Sequence, residues 1–202
     1  MNLNEFAKEV HENAKAHGWW ETDRSFAECI VLIHSEWSEA LEEARAGRPM
    51  LYYICDPSCK VPFLDRGRKC QLNESNCGWY RRKPEGIAVE LMDGVIRILD
   101  LYGKYSVHFI YNTLDSIMDF ISCAFPRFRE DMPLSDLLMH LHYITAYTGE
   151  EGDFFPLDIC SLEICADIAI WWVQQQGLDP EKILREKHEY NKTRPYKHGK
   201  KF

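Results

Sequence analysis

Apolar residues recur every three to four positions along most of the chain, the period of a helix with one buried face. The pattern predicts a first helix over Asn4 to His17, stopped by Gly18, and a second from about Phe26 to Ala46 with Ser25 or Asp23 as its cap. Gly47, Arg48 and Pro49 close the second helix, and an irregular stretch from Met50 to Lys83 follows, carrying four cysteines and several Pro and Gly. Pro84 stands where a first-turn proline belongs, ahead of a helix running to Gly103 with Ile87, Leu91, Val95, Ile98 and Tyr102 in one stripe. Further helices are predicted over Tyr111 to Ala124, Leu134 to Thr148 and the apolar run ending at Gly177. A last one opens at Asp179-Pro180 and runs to about Lys192. Strand signals are weak, so the expected fold is all-α, a single domain over 1–202 with a cysteine-containing insert at 50–83.

The second half echoes the first. "LMHLHYITAY" aligns with "LIHSEWSEAL", pairing His140 with His34, and "LEICADIAIWWVQQQG" aligns with "VELMDGVIRILDLYG". In that echo Glu36 becomes His142 and Glu39 becomes Thr145. Glu90 and Asp93 become Glu163 and Asp167, with the spacing off by one. The similarity reads as a duplicated helical hairpin whose second copy, within 133–177, has lost carboxylates; chance likeness between amphipathic helices is the alternative.

The carboxylates of the second helix pose a specific problem. At about 100° per residue, Glu36 lies about 40° from Leu32 and Ala40, so it flanks the apolar stripe, and Glu39 and Glu43 follow on the same side. Glu90 and Asp93 stand alike on the later helix. Packed antiparallel, the two helices bring four carboxylates together, an arrangement that repulsion and desolvation oppose unless something cationic joins them. Mg²⁺, a hard cation that takes oxygen ligands and keeps water or phosphate in its shell, is one solution. Pairing with Arg45, Arg48 or Arg97 on a solvated face is the other. Gly94, costly inside a helix by about 1 kcal/mol, lets a helix or a ligand approach closely.

Composition narrows the class. A formal charge of -8 argues against binding a nucleic-acid polymer. No apolar run approaches the roughly 18 to 20 residues that span a bilayer, and the polar N-terminus is no export signal, which makes a cytoplasmic location the expectation. The last sixteen residues nevertheless carry six Lys or Arg against one Glu. Such a tail either frays in solvent or meets a small polyanion. Within it Lys187 and Asn191 share a helix face, and Arg194 follows one turn on.

Eight cysteines without an export signal suggest thiols or metal ligands. Cys55, Cys59, Cys70 and Cys77, spaced C-x3-C-x10-C-x6-C, offer a structural Zn²⁺ site, with free thiols as the alternative. Cys29, Cys123, Cys160 and Cys165 fall on apolar faces and are expected in the core. The pair Trp19-Trp20 either stacks on a nucleobase or packs a helix junction, while Trp171-Trp172 lies in an apolar run and is expected to be core.

"SEWSE" (Ser35 to Glu39) followed by "ELMD" (Glu90 to Asp93) resembles the E-E-x-x-E, spacer, E-x-x-D pattern of the MazG-like, all-α nucleoside triphosphate pyrophosphohydrolases, which include the dimeric dUTPases and dCTPases. "GWW…RSF", "LIHSEWSEALEEARAG", "KPEGIAVELMDGVIRILDLYG" and "EKHEYNKTRPYKHGKK" are similar to a phage and bacterial subgroup, so the likeness covers about half the chain in separated blocks. It implies a MazG-type bundle and Mg²⁺-dependent cleavage between the α and β phosphates of a (d)NTP, with Mn²⁺ as a substitute ion. The products would be a monophosphate and pyrophosphate, and the role nucleotide-pool sanitation. It further implies Glu36, Glu39, Glu90 and Asp93 as metal ligands, with Glu39 or Glu43 activating water. Lys187, Asn191 and Arg194 would hold phosphate, and Trp20 is the candidate for the base. The chain departs from the pattern at Ser35, which replaces the first Glu, and in its longer spacer. A nucleotide- or metal-binding regulatory module without catalysis is the rival implication. A monomer of two similar halves and a homodimer are both compatible with the sequence.

Overall fold

The structure is a computed structural model that describes residues 1–55, 82–126, 128, 131–147 and 156–199. Seven helices carry the described part of the chain: α1 (Leu3–Ala16), α2 (Phe26–Arg45), α3 (Ile87–Tyr105), α4 (Leu114–Ala124), α5 (Leu134–Tyr147), α6 (Pro156–Gln175) and α7 (Pro180–Lys192). A short 3-10 helix, Tyr196–Gly199, follows. The fold is therefore mostly helical, with one departure from the expectation. Two short strands, β1 (Tyr52–Cys55) and β2 (Arg82–Glu85), pair antiparallel at the two ends of the region read as irregular.

Local chemistry sets most boundaries. The Asn2 side chain accepts from the Asn4 and Glu5 amides at the start of α1. Ser25 and Glu28 form a reciprocal capping box on α2, and Thr113 with Ser116 does the same on α4, which is why that helix begins after Thr113 and not at Tyr111. Asp179 caps α7, with Pro180 in the first turn.

Two punctuation residues were misread. Pro84 does not open a helix; it sits in β2 opposite Tyr53, and α3 starts beyond Gly86. Gly86 holds φ +114, and a Cβ there would lie 2.6 Å from the Pro49 carbonyl oxygen. The backbone approach it permits brings the Met50 carbonyl within 2.9 Å of the Ala88 amide. Gly103, expected to end α3, lies inside it. A Cβ there would stand 2.4 Å from the His11 Cβ and 2.6 Å from the Ala7 carbonyl, so this glycine is where α1 crosses α3.

Helices α3 and α6 form the middle of the bundle. The predicted stripe Ile87, Leu91, Val95, Ile98 and Tyr102 is buried, as are Ala88, Val89, Met92 and Leu99 on the other sides of α3. Helix α6 is likewise enclosed from Leu162 to Val173, Trp171 and Trp172 included, with the Trp172 indole N–H donating to the Met132 carbonyl. Each such side chain contributes about 1.5–3 kcal/mol on burial, which accounts for helices that are apolar nearly all round. Around this pair, α3 packs on α1, α2 and α7, and α6 packs on α4 and α5; α2 meets α5 and α3 meets α6 across the middle. The two halves thus share one pattern of helix contacts. Cys29 and Cys165 are core residues, whereas Cys123, expected to be one, is exposed. No helix among the described residues is long and apolar enough to cross a membrane.

Candidate functional site

Close packing of α2 on α3 brings the carboxylates together. It is made possible at Gly94, where a Cβ would lie 2.2 Å from the ring of Trp37, a fully buried residue of α2. Within about one turn of that contact, Glu36 and Glu39 on α2 face Glu90 and Asp93 on α3 across a cleft of about 310 Å³. Carboxylate oxygens of Glu36, Glu39 and Glu90 all lie within 4.8 Å of one another. Lys187 on α7 and Arg194, just beyond its C-terminal end, close the far side, and β2 adds Lys83 and Glu85.

Among the described residues, three of the four cations that line the cleft are already committed, and Arg194 makes no ion pair. Arg97, one turn beyond Asp93, donates from Nε (3.1 Å) and Nη2 (2.9 Å) to Glu36 Oε1. Lys187 Nζ lies 2.8 Å from Asp93 Oδ2 with its side chain only 3% exposed. Lys83 pairs with Glu85, and Arg48 pairs with Glu43 at the rim. Among the described residues Glu39 and Glu90 make no ion pair or side-chain hydrogen bond, and Glu90 is only 5% exposed.

Electrostatics register this imbalance. Burial pushes the Glu90 carboxyl up to about 8; Lys187 opposes that shift, and Asp93 and Glu36 add to it. Burial also raises Glu36, against the pull of Arg97. Desolvation works against the Lys187 ammonium, yet Asp93, Glu90 and Glu85 together outweigh it and hold the group protonated. Burial thus disfavours the charged form of Glu90, and a cation beside it would favour that form. The all-oxygen donor set suits Mg²⁺ or Mn²⁺, ions that accept carboxylates while retaining open positions.

Residues singled out from the sequence fall into three groups. Glu36, Glu39, Glu43, Glu90, Asp93, Lys187 and Arg194 all line the cleft. Among them Glu43 is engaged on both oxygens, with Arg48 on one and the Tyr52 hydroxyl on the other, while Glu39 is exposed and unengaged. Of the arginines proposed as alternative partners, Arg97 takes Glu36, Arg48 takes Glu43 and Arg45 takes Glu42. Ser35, in place of a carboxylate, turns its hydroxyl to the Leu32 carbonyl of its own helix.

Asn191 is buried beside the cleft without lining it, and its Oδ1 has no hydrogen-bond partner. Trp20 lies elsewhere. Its indole N–H donates to Asp100 at 2.9 Å, Lys104 Nζ sits 4.8 Å from its ring, and Arg24 spans both Trp19 and Trp20. Its ring is thus occupied by neighbouring side chains, away from the carboxylates. The zinc expectation falls on Cys59, Cys70 and Cys77, which lie outside the described residues, and on Cys55, of which only the backbone, at the end of β1, is described.

Glu85 and Lys83 are the site residues that sequence reading missed. Both lie in a strand with a weak signal, but their place just before the E-x-x-D helix put them within reach. The ribbon is fixed to both walls of the cleft: Tyr52 bonds Glu43 on α2, and the Tyr53 hydroxyl donates to Glu186 on α7.

No protein-family model matches the chain, and comparison with curated proteins and with solved structures finds no match. The functional reading therefore rests on the motif residues and on the geometry of the cleft.

Proposed function

We propose that the chain is a Mg²⁺-dependent nucleoside triphosphate pyrophosphohydrolase of the MazG-like type, cleaving a (d)NTP between the α and β phosphates. The observation that carries this reading is the meeting of Glu36, Glu39 and Glu90 within 4.8 Å, in a cleft whose opposite wall presents Lys187 and Arg194. Three carboxylates would hold the ion, with Asp93 adjacent. The ion would neutralise polyphosphate charge and make a bound water more nucleophilic.

The chain's own groups have distinct parts in this reading. Arg97 fixes Glu36 in one orientation through two hydrogen bonds to a single oxygen. Arg194 binds phosphate oxygens through a planar fork suited to them, and Lys187, held by Asp93, adds positive charge to the same wall. Glu39 is the base that orients or deprotonates water, because it is exposed to the cleft and free of other bonds. Glu43, with both oxygens engaged, holds the rim.

The test is incubation with a panel of dNTPs and Mg²⁺, reading pyrophosphate and monophosphate. Pyrophosphate release that disappears in Glu39→Ala is the expected result; orthophosphate with a diphosphate, or turnover unaffected by that substitution, contradicts it. The regulatory alternative is favoured by one observation, the hydroxyl of Ser35 where the family pattern has a carboxylate. It predicts nucleotide binding without release of either product.

A further inference from the structure

We infer that Lys187 serves as a built-in second cation of the carboxylate cluster, so that the nucleotide-free protein takes up one divalent ion and not two. The inference rests on the metal-binding reading of the cleft and specifies how many of its carboxylates an ion finds available.

Charge pairing sets the count. Of the carboxylates lining the cleft, four face one another across α2 and α3: Glu36, Glu39, Glu90 and Asp93. Glu36 is held by Arg97, and Asp93 is held by Lys187 at 2.8 Å. Glu39 and Glu90 make no ion pair among the described residues, although Lys187 and Arg194 face the same cleft, and Glu90 is almost wholly buried. One divalent ion bound to these two, with an oxygen of Glu36 completing the set within 4.8 Å, balances them. A second ion would have to use Asp93, and there it meets an ammonium.

Lys187 is not a surface side chain that happens to reach an acid. It is buried on α7 against α3, and its surroundings are Asp93, Glu90 and Glu85. A buried ammonium is costly unless paired, and a buried carboxylate that loses its partner is costly as well. Each therefore stabilises the other, and an ion arriving beside Asp93 has to displace the ammonium from both its hydrogen bond and its buried position. The same contact keeps α7 seated on α3 when no ion is present.

Counting Mn²⁺ bound to the full chain without nucleotide, by calorimetry and by loss of the free-ion EPR signal, tests this. The wild type should bind one ion per chain, and Lys187→Met should bind two. Two ions in the wild type, or one in Lys187→Met, overturns the inference and leaves the proposed function standing. No ion in either protein removes the metal-binding reading itself. If Lys187→Met loses its helical circular dichroism, Asp93→Asn answers the same question: it should weaken the single ion by less than the roughly 10-fold that loss of a ligand's immediate partner costs. A larger loss means that Asp93 is a ligand of the first ion and that Lys187 does not take an ion's place.

Discussion

The two central helices carry similar acids and use them in opposite ways. On α3, Glu90 and Asp93 open onto a cleft where α2 adds Glu36 and Glu39. On α6, Glu163 Oε1 accepts the amides of Ile110 (2.6 Å) and Tyr111 (2.9 Å), and Asp167 is enclosed with neither oxygen hydrogen-bonded. The facing helix explains the difference. Where α2 carries Glu36 and Glu39, the aligned positions of α5 carry His142 and Thr145. His142 meets His34 with its Nδ1 2.7 Å from the other ring's, and Thr145 accepts the Trp37 indole N–H at 3.2 Å. An acid on a central helix becomes part of a candidate site only when its neighbour also supplies acids and leaves space. Otherwise it is used for backbone capping or is held neutral.

The sharpest break between the halves should be in activity. Glu90→Gln is expected to lower pyrophosphate release by more than about 100-fold, beyond what losing an outer-sphere partner costs, while Glu163→Gln leaves the rate of the folded fraction unchanged. Equal losses in the two variants would erase the distinction.

Asp167 gives the next largest effect, and it is a pH effect. Burial, with a smaller push from Glu163, raises its carboxyl to about 8. The folded chain then holds a proton that the unfolded chain releases near pH 4, so stability is greatest below the unfolded value and declines as pH rises towards 8. Asp167→Asn should flatten that decline by a few kcal/mol in chemical denaturation at pH 5 and pH 9. An unchanged slope would mean that Asp167 is ionised in the fold.

Smaller still, Glu163→Ala leaves two part-buried backbone amides unpaired and should cost about 2–4 kcal/mol, at about 1–2 kcal/mol each, the lower part of the range for a desolvated donor. Gly94→Ala should cost about 1–3 kcal/mol by forcing the Trp37 ring off α3, and should also weaken metal binding by spreading α2 from α3. A stable Gly94→Ala protein with undiminished Mn²⁺ affinity would show that this packing does not set the carboxylate geometry.

Much of this was readable from residue order because the forces were local. The cap at Ser25, the proline at the start of α7 and the apolar stripe of α3 act within a turn or two of themselves. Glu36 beside a buried stripe pointed to the cleft for the same reason: a carboxylate in that place demands a partner. What escaped depended on distant chain. Pro84 and Gly86 are explained only by the strand at Tyr52–Cys55 and the carbonyls of Pro49 and Met50, and Gly103 only by α1 crossing there. The pairing of Lys187 with Asp93 joins residues far apart in sequence. The pattern placed Lys187 on the correct helix face without indicating that it would be buried against an acid. Trp20, read either as a base platform or as helix-junction packing, meets Asp100 and Lys104 on α3, contacts that residue order did not indicate.

The central claim is that the first half holds a divalent ion and the second does not. Anomalous diffraction from crystals grown with Mn²⁺ tests it most directly. The account predicts a single strong peak among Glu36, Glu39 and Glu90 and none beside Glu163 or Asp167; a peak in the second half, or none in the first, would contradict it.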